Sequence, residues 1–497
     1  MTGNANSLAR AGSRWFPSFT KGFRSYVAVD GGSGAHLLAA LAVSDPSFRQ
    51  ADSPRHANVL LLIEPITEKL LPAVREYADA LARPFQVFIL GEADGGDEGQ
   101  TGARPRVEQL FPGAHRITHV SPEAVLREVM QHDHVAAFQA PEQAQREAMT
   151  IQVPQRQELE LATELAVLSL GPIQPFTAGP LRLFLICDGE QVFSAQVDAG
   201  YAHRGIEQRM SQADWSHGLA LARRLDPLAP LAGQLAYVRA LEQLQQWQMP
   251  SAGENVRDAA LALERVSNVL WWSVHFAHIL DDAPLTHRLH QLARTFTEQV
   301  SMLWQHPPTA WLLPHYQITF SSVSGHSAAL SQLRQVGEAL EAVRRSLERN
   351  RFLALRIRDI GVLDSERLTT GGVSGPVLEA SLHGTGDVHS RLVTRLHAAL
   401  LDVQEAVEIL SHPESVPPHA AQWDVPVGEA QVSVHGSRGT IELHLVSQGG
   451  ARPTQVMWHR PSAALLPLLP EILKGQKLAD AEVIVASLDL AMAEADG

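Results

Sequence analysis

The sequence predicts an α/β domain with a parallel sheet, followed by a mostly α-helical large domain with small peripheral β-sheets. Two short apolar runs, at residues 59–63 and 87–90, flank a helical pattern near the start of the chain. Beyond about residue 180, long stripes of apolar residues recur at three- and four-residue steps. The first pattern is typical of a strand–helix–strand unit, and the second is typical of a helix bundle.

In the first domain, the continuous apolar run at 59–63 is typical of a strand that is buried on both faces. A helix over residues 70–81 and a second strand over 87–90 complete the unit. The segment 92–104 is polar and rich in glycine, which predicts a loop at the carboxyl end of that strand. Ligands bind at this edge of parallel sheets, although a solvated surface loop is the simpler interpretation. Pro122 opens a further helix.

In the second domain, apolar residues 181–186 followed by Asp188-Gly189 predict a β-hairpin. Residues 441–445 alternate as a half-exposed strand, and residues 483–486 predict a last apolar strand. Two apolar stripes predict helices that pack through one face. The stripes consist of Leu333, Val336, Leu340, Val343 and Leu347, and of Leu392, Leu396, Ala399, Val403, Val407 and Leu410.

The bulk composition limits the class of function. A chain of 497 residues that is 45% hydrophobic and 19% charged predicts two or three globular domains. Its formal net charge of −14 argues against non-specific binding of nucleic acid. No apolar run is long enough to span a bilayer, and residues 1–25 lack the apolar core of a secretory signal. We therefore expect a cytoplasmic protein.

A single cysteine, Cys187, restricts the cofactor chemistry. One thiol cannot form an intramolecular disulfide, hold an iron–sulfur cluster or build a cysteine-rich zinc site. The sequence also lacks a phosphate-binding loop or a dinucleotide fingerprint after a strand, so nucleotide binding has no support. We therefore predict no thiolate-ligated metal.

Residues 200–207 (GYAHRGIE) are similar to the signature of the catalytic large subunit of complex I and the membrane-bound nickel–iron hydrogenases. Upstream, residues 171–179 (GPIQPFTAG) resemble the Gly-Pro turn of that family, and residues 225–242 resemble the segment that follows its signature. The resemblance continues in order through Arg438-Gly439, Arg460-Pro461-Ser462 and Ser487-Leu488-Asp489. It implies a large-subunit-like domain over residues 165–497.

The first 140 residues resemble the cluster-bearing small subunit of the same family. Residues 52–62 (DSPRHANVLLL) are similar to its S-P-R-x-A-D-V-L-L strand, and residues 63–67 are similar to its G-P-V-T turn. This resemblance implies a flavodoxin-like α/β domain that is fused to the large-subunit-like domain through a linker at 141–164. The predicted domains are therefore 1–140 and 165–497.

The resemblance also shows which metal ligands are replaced. The small subunit of the family holds its terminal cluster with cysteines, and those positions are here Ser33 or Gly34, Ala93 and Ala114. In hydrogenase members two cysteine pairs hold nickel and iron, near residues 225–231 and after Asp489, where this chain has no thiol. We therefore predict neither an iron–sulfur cluster nor a nickel–iron centre.

The quinone-contacting positions of the family are replaced as well. In quinone-reducing members a histidine of the Gly-Pro turn and a tyrosine contact the headgroup and supply protons, which suits an imidazole and a phenol. The resemblance places Ala178 and Pro227 at these positions, and Gln174 at the preceding histidine. Ordinary quinone reduction is not expected, because neither alanine nor proline has a side-chain donor. A persisting cavity that binds a quinone stays open as an alternative.

Four polar residues of the family's active region are present in this chain: His203, Arg204, Glu207 and Asp489. The resemblance implies that they line the path between the active cavity and the membrane arm, where they would relay protons or conformational strain. A hydrogen-bonded structural role is the simpler interpretation for a histidine inside a fold.

The histidine pairs His275/His278 and His287/His290 have i, i+3 spacing, which would let one helical face present imidazoles to zinc. A surface or interface role is the simpler interpretation of such pairs. A salt-bridged, solvated helix face is predicted by a run of opposite charges, which consists of Arg344, Arg345, Arg349 and Arg351 with Glu338, Glu341 and Glu348.

Two functions from different classes follow. The first is a redox-inactive structural or coupling subunit of a membrane-associated complex, peripheral on the inner face of the cell membrane. Its partners would be membrane subunits that resemble those of complex I and cation/proton antiporters, and it would need no cofactor. The second is an NADH:quinone oxidoreductase-type or hydrogenase-like subunit with an atypical quinone pocket. A hydrolase built on the histidine pairs is a third hypothesis.

Overall fold

A computed structural model describes residues 24–45, 47–51, 53–81, 85–91, 107–111, 113–131, 165–303, 323–412 and 424–497. These residues form two compact units. The first draws on residues 1–29, 40–63 and 74–149, and the second on residues 30–39, 64–73 and 150–497. The predicted linker and the loop at 92–104 lie outside the described residues, and the predicted domain boundaries stay a prediction.

The first unit contains a five-stranded sheet in the order β2-β1-β3-β4-β5. The pairs β1–β2, β3–β4 and β4–β5 are parallel, and β3 is buried along its whole length, as the continuous apolar run predicts. This confirms the predicted α/β class, and the strand order is that of flavodoxin-like sheets. The strands are β1 (Arg24–Asp30), β2 (Phe48–Gln50), β3 (Val59–Ile63), β4 (Gln86–Leu90) and β5 (His115–Ile117). The helices in this part of the chain are α1 (Ala35–Ser44), α2 (Leu71–Ala80), α3 (Val107–Leu110) and α4 (Pro122–Gln131).

The second unit carries two three-stranded antiparallel sheets, in the orders β6-β7-β8 and β11-β10-β9. The predicted hairpin is β7 and β8, and Cys187 is buried on β7 beside a bulge. The predicted half-exposed strand is β10, whose burial alternates residue by residue. The strands are β6 (Ala166–Leu170), β7 (Arg182–Asp188), β8 (Gln191–Asp198), β9 (Val427–His435), β10 (Thr440–Gln448) and β11 (Gln455–His459).

Helices form the bulk of the second unit, as the sequence predicts. Both apolar stripes are buried: the first lies on α10 and the second on α14, and these helices pack on each other and on α8 and α9. The long helices are α7 (Pro230–Leu244), α8 (Ser251–Ile279), α9 (Ala283–Leu303), α10 (Val323–Arg349) and α14 (Val388–Ser411). The shorter ones are α5 (Ile206–Gln212), α6 (Trp215–Arg223), α11 (Arg351–Ile357), α12 (Ser365–Thr370), α13 (Pro376–Leu382), α15 (Pro461–Leu465), α16 (Leu469–Leu473), α17 (Leu478–Ala486) and α18 (Met492–Asp496).

One predicted strand is wrong. Residues 483–486 form the last turn of α17 and not a strand. The apolar run belongs to a helix that is buried almost all round, with Ala481, Ile484 and Val485 inside at helical spacing. Periodicity within four apolar residues does not separate a buried helix from a buried strand. Among the described helices, none has the length and apolarity needed to cross a membrane.

Candidate functional site

The Gly-Pro turn is held together by Gln174, which fixes its own loop. Its Oε1 accepts hydrogen bonds from the backbone nitrogens of Phe176 (2.6 Å) and Thr177 (3.2 Å). Its Nε2 donates to Thr177 Oγ1 (2.5 Å), and that hydroxyl donates to the carbonyl of Gly179 (2.8 Å). Since both ends of the amide are occupied within the turn, Gln174 acts as a loop-stabilising residue in this arrangement.

Ala178 joins this turn to the C-terminal part of the second unit. Its backbone nitrogen donates to the carbonyl of Leu490 (3.0 Å), and its carbonyl accepts from the nitrogen of Met492 (2.8 Å). These two bonds place the turn beside Asp489 at the wall of one cavity. The structure therefore brings together two segments that the sequence separates by about three hundred residues.

Four buried charged residues connect the segments that follow Leu225 and Leu488, and we call Asp226, Arg395, Arg438 and Asp489 the charge network. Arg438 pairs with Asp226 and donates from Nε to the carbonyl of Asp489 (2.8 Å). Arg395 donates to Asp489 Oδ2 (3.2 Å) and to the carbonyl of Leu488 (2.9 Å). All four side chains are at most 5% exposed. The two guanidinium groups and two carboxylates therefore compensate each other away from water.

Neutral groups complete this network. In the amide orientation that its neighbours require, Asn268 donates to Asp489 Oδ2 (3.2 Å) and accepts from Arg438 Nη2 (3.0 Å). The Arg395 guanidinium lies 5.0 Å from the ring centroid of Trp272, which is a cation–π distance. One helical turn before Arg395, the buried Arg391 donates to Ser487 Oγ (2.9 Å) and to two backbone carbonyls.

Burial and mutual attraction shift the acid–base equilibria of these groups in opposite directions. Burial raises the pKa of Asp489, although the guanidinium groups of Arg438 and Arg395 work against that rise. Burial would lower the pKa of Arg438, but the carboxylates of Asp226 and Asp489 outweigh it, and the net shift is upward. Burial, with a smaller contribution from Asp226, raises the pKa of the nearby Glu494 to about 7. Ser462 Oγ donates to that carboxyl group.

Pro227 lies in the turn that carries the first of these carboxylates. Asp226 Oδ1 accepts from the backbone nitrogen of Leu228 (3.0 Å) across Pro227, which is the pattern of an Asx turn. The proline fixes φ and supplies no donor. Asp226 therefore belongs to the charge network, and Pro227 fixes the backbone direction of the turn.

The cavity at this site has room for water. The volume of this cavity is about 20 Å³, which is enough for one or two waters and too small for a quinone headgroup. Its wall includes His36, Phe176, Ala178, Leu228, Trp271, Trp272, His275, Arg438 and Asp489.

Two histidines of this wall are held neutral. Burial, together with the positive charge of Arg438, lowers the pKa of His36 to about 3. Burial also lowers the pKa of His275 to about 4, although its hydrogen bond to the carbonyl of Pro175 acts in the opposite direction. His36 also stacks on Trp271 with 6.3 Å between the ring centroids. Sequence reasoning missed His36. Its only signal in the sequence is its position two residues after Gly34.

The residues of the signature segment hold α18 in place. His203 Nδ1 bonds with the carbonyl of Asp496 (2.7 Å), and Arg204 Nη2 donates to the carbonyl of Ala493 (3.0 Å). The carboxylate of Asp496 in turn accepts from the backbone nitrogens of Gly200 and Ala202 (2.8 Å each). Glu207 accepts from the nitrogen of Trp458 (2.9 Å). Each of these contacts is made with the backbone.

Asp30 organises the loop that contains Ser33 and Gly34, the positions that the family resemblance assigns to a cluster ligand. Its Oδ1 accepts from the backbone nitrogens of Gly32, Ser33 and Gly34 at 2.8–3.0 Å, and Ser33 Oγ donates to the carbonyl of Glu64 (2.7 Å). A hydroxyl that is already bonded and a glycine do not fit the ligand set of an iron–sulfur cluster. In the first unit, Ala114 ends a short turn, and its backbone nitrogen donates to the carbonyl of Phe111 (3.0 Å). Ala93 lies outside the described residues.

The two histidine pairs contact separate partners. His290 packs edge-on against Trp271 with 5.8 Å between centroids, and His287 bonds with Gln291 (2.9 Å). Within the described parts of the chain, no three histidine, cysteine or acidic residues are placed to hold a metal ion. Arg344 and Arg345 pair with Glu341, and Arg344 also pairs with Glu348, which confirms this part of the predicted salt-bridged face. The prediction is wrong for Arg349 and Arg351, which form no ion pair with a described residue.

Comparison with known proteins points to one family. Residues 400–497 match the family described as the 49 kDa subunit of respiratory-chain NADH dehydrogenase. Residues 400–497 are therefore similar to the complex I 49 kDa subunit. An NADH-quinone oxidoreductase subunit of Desulforamulus reducens is 26% identical over 373 residues, which cover 68% of this chain and all of that protein. An NADH-quinone oxidoreductase subunit of a Roseiflexus species is 27% identical over 392 residues, covering 67% of this chain and 93% of that protein.

A solved structure shares the fold of this 49 kDa-like domain. A chain from the membrane-bound sulfane sulfur reductase, an archaeal respiratory membrane complex, matches with a TM-score of 0.61 and 22% identity. The match covers 68% of this chain and the whole of that chain. It supports the predicted architecture of a mostly helical domain with small sheets.

Proposed function

We propose that the chain is a redox-inactive coupling or structural subunit of a membrane-associated complex related to complex I. The observation that carries the proposal is the charge network. The family resemblance puts metal-binding cysteine pairs of hydrogenase members in the segments around Asp226 and after Asp489, and here guanidinium groups join these segments. The fixed positive charge of Arg438 lies between two carboxylates. It compensates their negative charge, as a catalytic metal would otherwise do.

The contacts of the quinone-site positions support the same proposal. Ala178 and Pro227 offer no side-chain donor, Gln174 is bonded within its own turn, and the adjoining cavity is water-sized. The frame of the family's active region persists without the groups that would reduce a quinone. His203 and Arg204 then retain the role of holding α18, Glu207 holds β11, and Asp489 belongs to the charge network. Strain from a partner would pass through these contacts.

We further propose that the first 140 residues are a small-subunit-like domain that has lost its cluster ligands. The five-stranded parallel sheet and the Asp30-capped loop support this origin. Fusion of two subunits fixes their stoichiometry and raises their effective concentration, which suits a scaffold. The partners that this proposal implies are membrane subunits resembling those of complex I or antiporters, on the inner face of the membrane.

The proposal is tested by metal analysis and electron paramagnetic resonance of the complex purified from membranes. We expect co-purification with multi-spanning proteins, iron and nickel far below one per chain, and no signal from a reducible cluster. A Cys187→Ala variant is the control, because any iron held by the single thiol is lost in it while other adventitious iron stays. A reducible cluster signal, or a chain that never associates with membrane proteins, would refute the proposal.

The second candidate, an oxidoreductase subunit with an atypical quinone pocket, has support from the names of the NADH-quinone oxidoreductase relatives. Trp271 and Trp272 line the cavity, so a bound quinone would quench their fluorescence. We expect no saturable quenching by a short-chain ubiquinone, and the same weak response from a variant with His275→Ala. Saturable quenching that this substitution alters would favour the second candidate.

A further inference from the structure

The short helix α11 presents two large apolar side chains almost completely to solvent. Phe352 is 87% exposed and Leu355 is 85% exposed, although the helix belongs to a well-packed bundle. They are three residues apart, so they lie on the same side of the helix. No other large apolar residue of the described chain is as exposed as these two.

Local contacts hold the pair in this outward orientation. Leu353, Ala354 and Ile357 are buried and attach the opposite side of α11 to the bundle, where it packs on α10 and α14. Asn350 caps the helix, and its Oδ1 accepts from the nitrogens of Phe352 and Leu353 (3.1 Å each). Phe352 and Leu355 therefore cannot turn inward unless the cap and the buried side are lost.

Arginines flank the exposed pair in the sequence. Arg356 pairs with Asp480 and donates to the carbonyl of Ala479 (3.2 Å), so it is held to the bundle. Arg349, Arg351 and Arg358 are exposed, and within the described residues none of them forms an ion pair or a side-chain hydrogen bond. We call Arg349, Arg351, Phe352, Leu355 and Arg358 the α11 patch.

The charge of this segment is opposite to that of the whole chain. The chain has 54 acidic and 40 basic residues, whereas residues 349–359 contain four arginines and only Asp359 as an acid. Glu348, the residue directly before this segment, is already paired with Arg344. The patch thus combines free guanidinium groups, which match phosphate in bidentate geometry, with protruding apolar side chains.

We propose that the α11 patch binds the surface of a bilayer that contains anionic phospholipids. Phe352 and Leu355 would enter the boundary between headgroups and acyl chains, and Arg349, Arg351 and Arg358 would contact headgroup phosphates. Anionic lipid is complementary to the three unpaired guanidinium groups, and a protruding apolar pair needs no preformed pocket in a fluid surface. This inference is independent of the coupling role, since it concerns contact with lipid and not with membrane subunits.

The test is flotation of the purified full-length chain with vesicles of phosphatidylcholine, with and without phosphatidylglycerol. We expect binding to the anionic vesicles that weakens as salt is raised, because the Debye length shortens. Each guanidinium group contributes about fivefold to binding near such a surface, so Arg351→Gln with Arg358→Gln should weaken it by on the order of tenfold or more. Phe352→Ser with Leu355→Ser should weaken binding by a similar factor.

Matched controls separate the α11 patch from general stickiness. Leu401→Ser removes a half-exposed leucine of α14 that lies one turn from Glu405, and Arg345→Gln removes an ion-paired surface arginine. Neither should change vesicle binding, and circular dichroism should show that all variants are folded. The proposal is overturned if the wild type ignores anionic vesicles or if the patch variants bind them as well as the controls. It is also overturned if the patch variants lose only a protein partner, because the patch would then be a protein interface.

Discussion

Arginine and carboxylate side chains form two clusters in the second unit that differ in burial. The charge network of Asp226, Arg395, Arg438 and Asp489 is 0–5% exposed. The ladder on α10, consisting of Glu341, Arg344, Arg345 and Glu348, is 18–63% exposed. Both contain two arginines and two acids at hydrogen-bond distances, so they can be compared by their exposure to water and by the distance in sequence that their ion pairs span.

Loss of one charge should destabilise the buried charge network strongly and the exposed ladder only slightly. Removing one member of a buried set leaves an uncompensated charge at low dielectric, whereas an exposed charge that loses its partner is solvated at once. The network joins segments far apart in sequence, while the ladder lies within two turns of one helix. The buried cluster therefore specifies tertiary structure, and the exposed one only solvates a helix face.

The largest effect is expected for Asp489→Asn. The asparagine keeps the shape of the side chain and tolerates the left-handed backbone that residue 489 adopts (φ 55°), so the substitution removes mainly the charge. Arg395 would then lose its carboxylate partner, and Arg438 would retain only the carboxylate of Asp226. We expect a loss of about 3–5 kcal/mol in the free energy of unfolding, measured by urea titration.

Asp359→Asn is the matched control for this substitution. Residue 359 has a similar positive φ (59°), but its side chain is exposed. We expect a change within about 0.5 kcal/mol. Equal losses in the two variants would show that backbone conformation and not buried charge determines the cost, and the distinction between the clusters would fail.

The sequence predicted the frame of the molecule better than its charged centre. The parallel strands, the hairpin and both apolar stripes follow from periodicity, because burial on one face repeats along each element. The ladder followed from i, i+3 and i, i+4 spacing for the same reason. These features depend on neighbours within a few residues, which a sequence displays directly.

The charge network depends on contacts that no local pattern displays. Arg391 and Arg395 interrupt the apolar stripe of α14, and a charged residue on a buried face is a signal that a partner exists. That signal does not say which acid is the partner, because Asp489 lies 94 residues away and Asp226 is reached only through Arg438. His36 lines the cavity beside Asp489 and is separated from it by still more of the sequence.

A smaller effect is expected for Glu494→Gln, and it depends on pH. Glu494 is 1% exposed, and burial raises its pKa from 4.5 to about 7. The folded chain therefore retains a proton that the unfolded chain releases, and the wild type loses stability as the pH rises from 4.5 to 7. The glutamine stays neutral, so the variant should match the wild type near pH 4, where both states of the wild type keep the proton, and exceed it by up to about 3 kcal/mol at pH 8.

Thermal unfolding across this pH range measures the difference. The substitution Glu408→Gln on the exposed side of α14 serves as the control, and it should leave the pH dependence of the wild type unchanged. If Glu494→Gln shows the same slope as the wild type between pH 5 and 8, then Glu494 does not hold a proton in the folded state. The network would then contain a third buried carboxylate charge.

The smallest effect is expected for Glu341→Gln in the ladder. Hydrogen bonds from Arg344 lower the pKa of Glu341 to about 2, so the stabilisation from its ion pairs is fully present above pH 4.5 and is lost as the pH falls from 4.5 to about 2. The carboxylate is at the surface, where water and salt replace most of the interaction. The melting temperature at pH 7 should fall slightly at low salt and match the wild type in about 1 M salt, where the Debye length is about 3 Å. Asp489→Asn should lose stability at both salt concentrations, because buried charges are screened far less. A salt-independent loss in Glu341→Gln would mean that the ladder holds the fold in the way the buried network does.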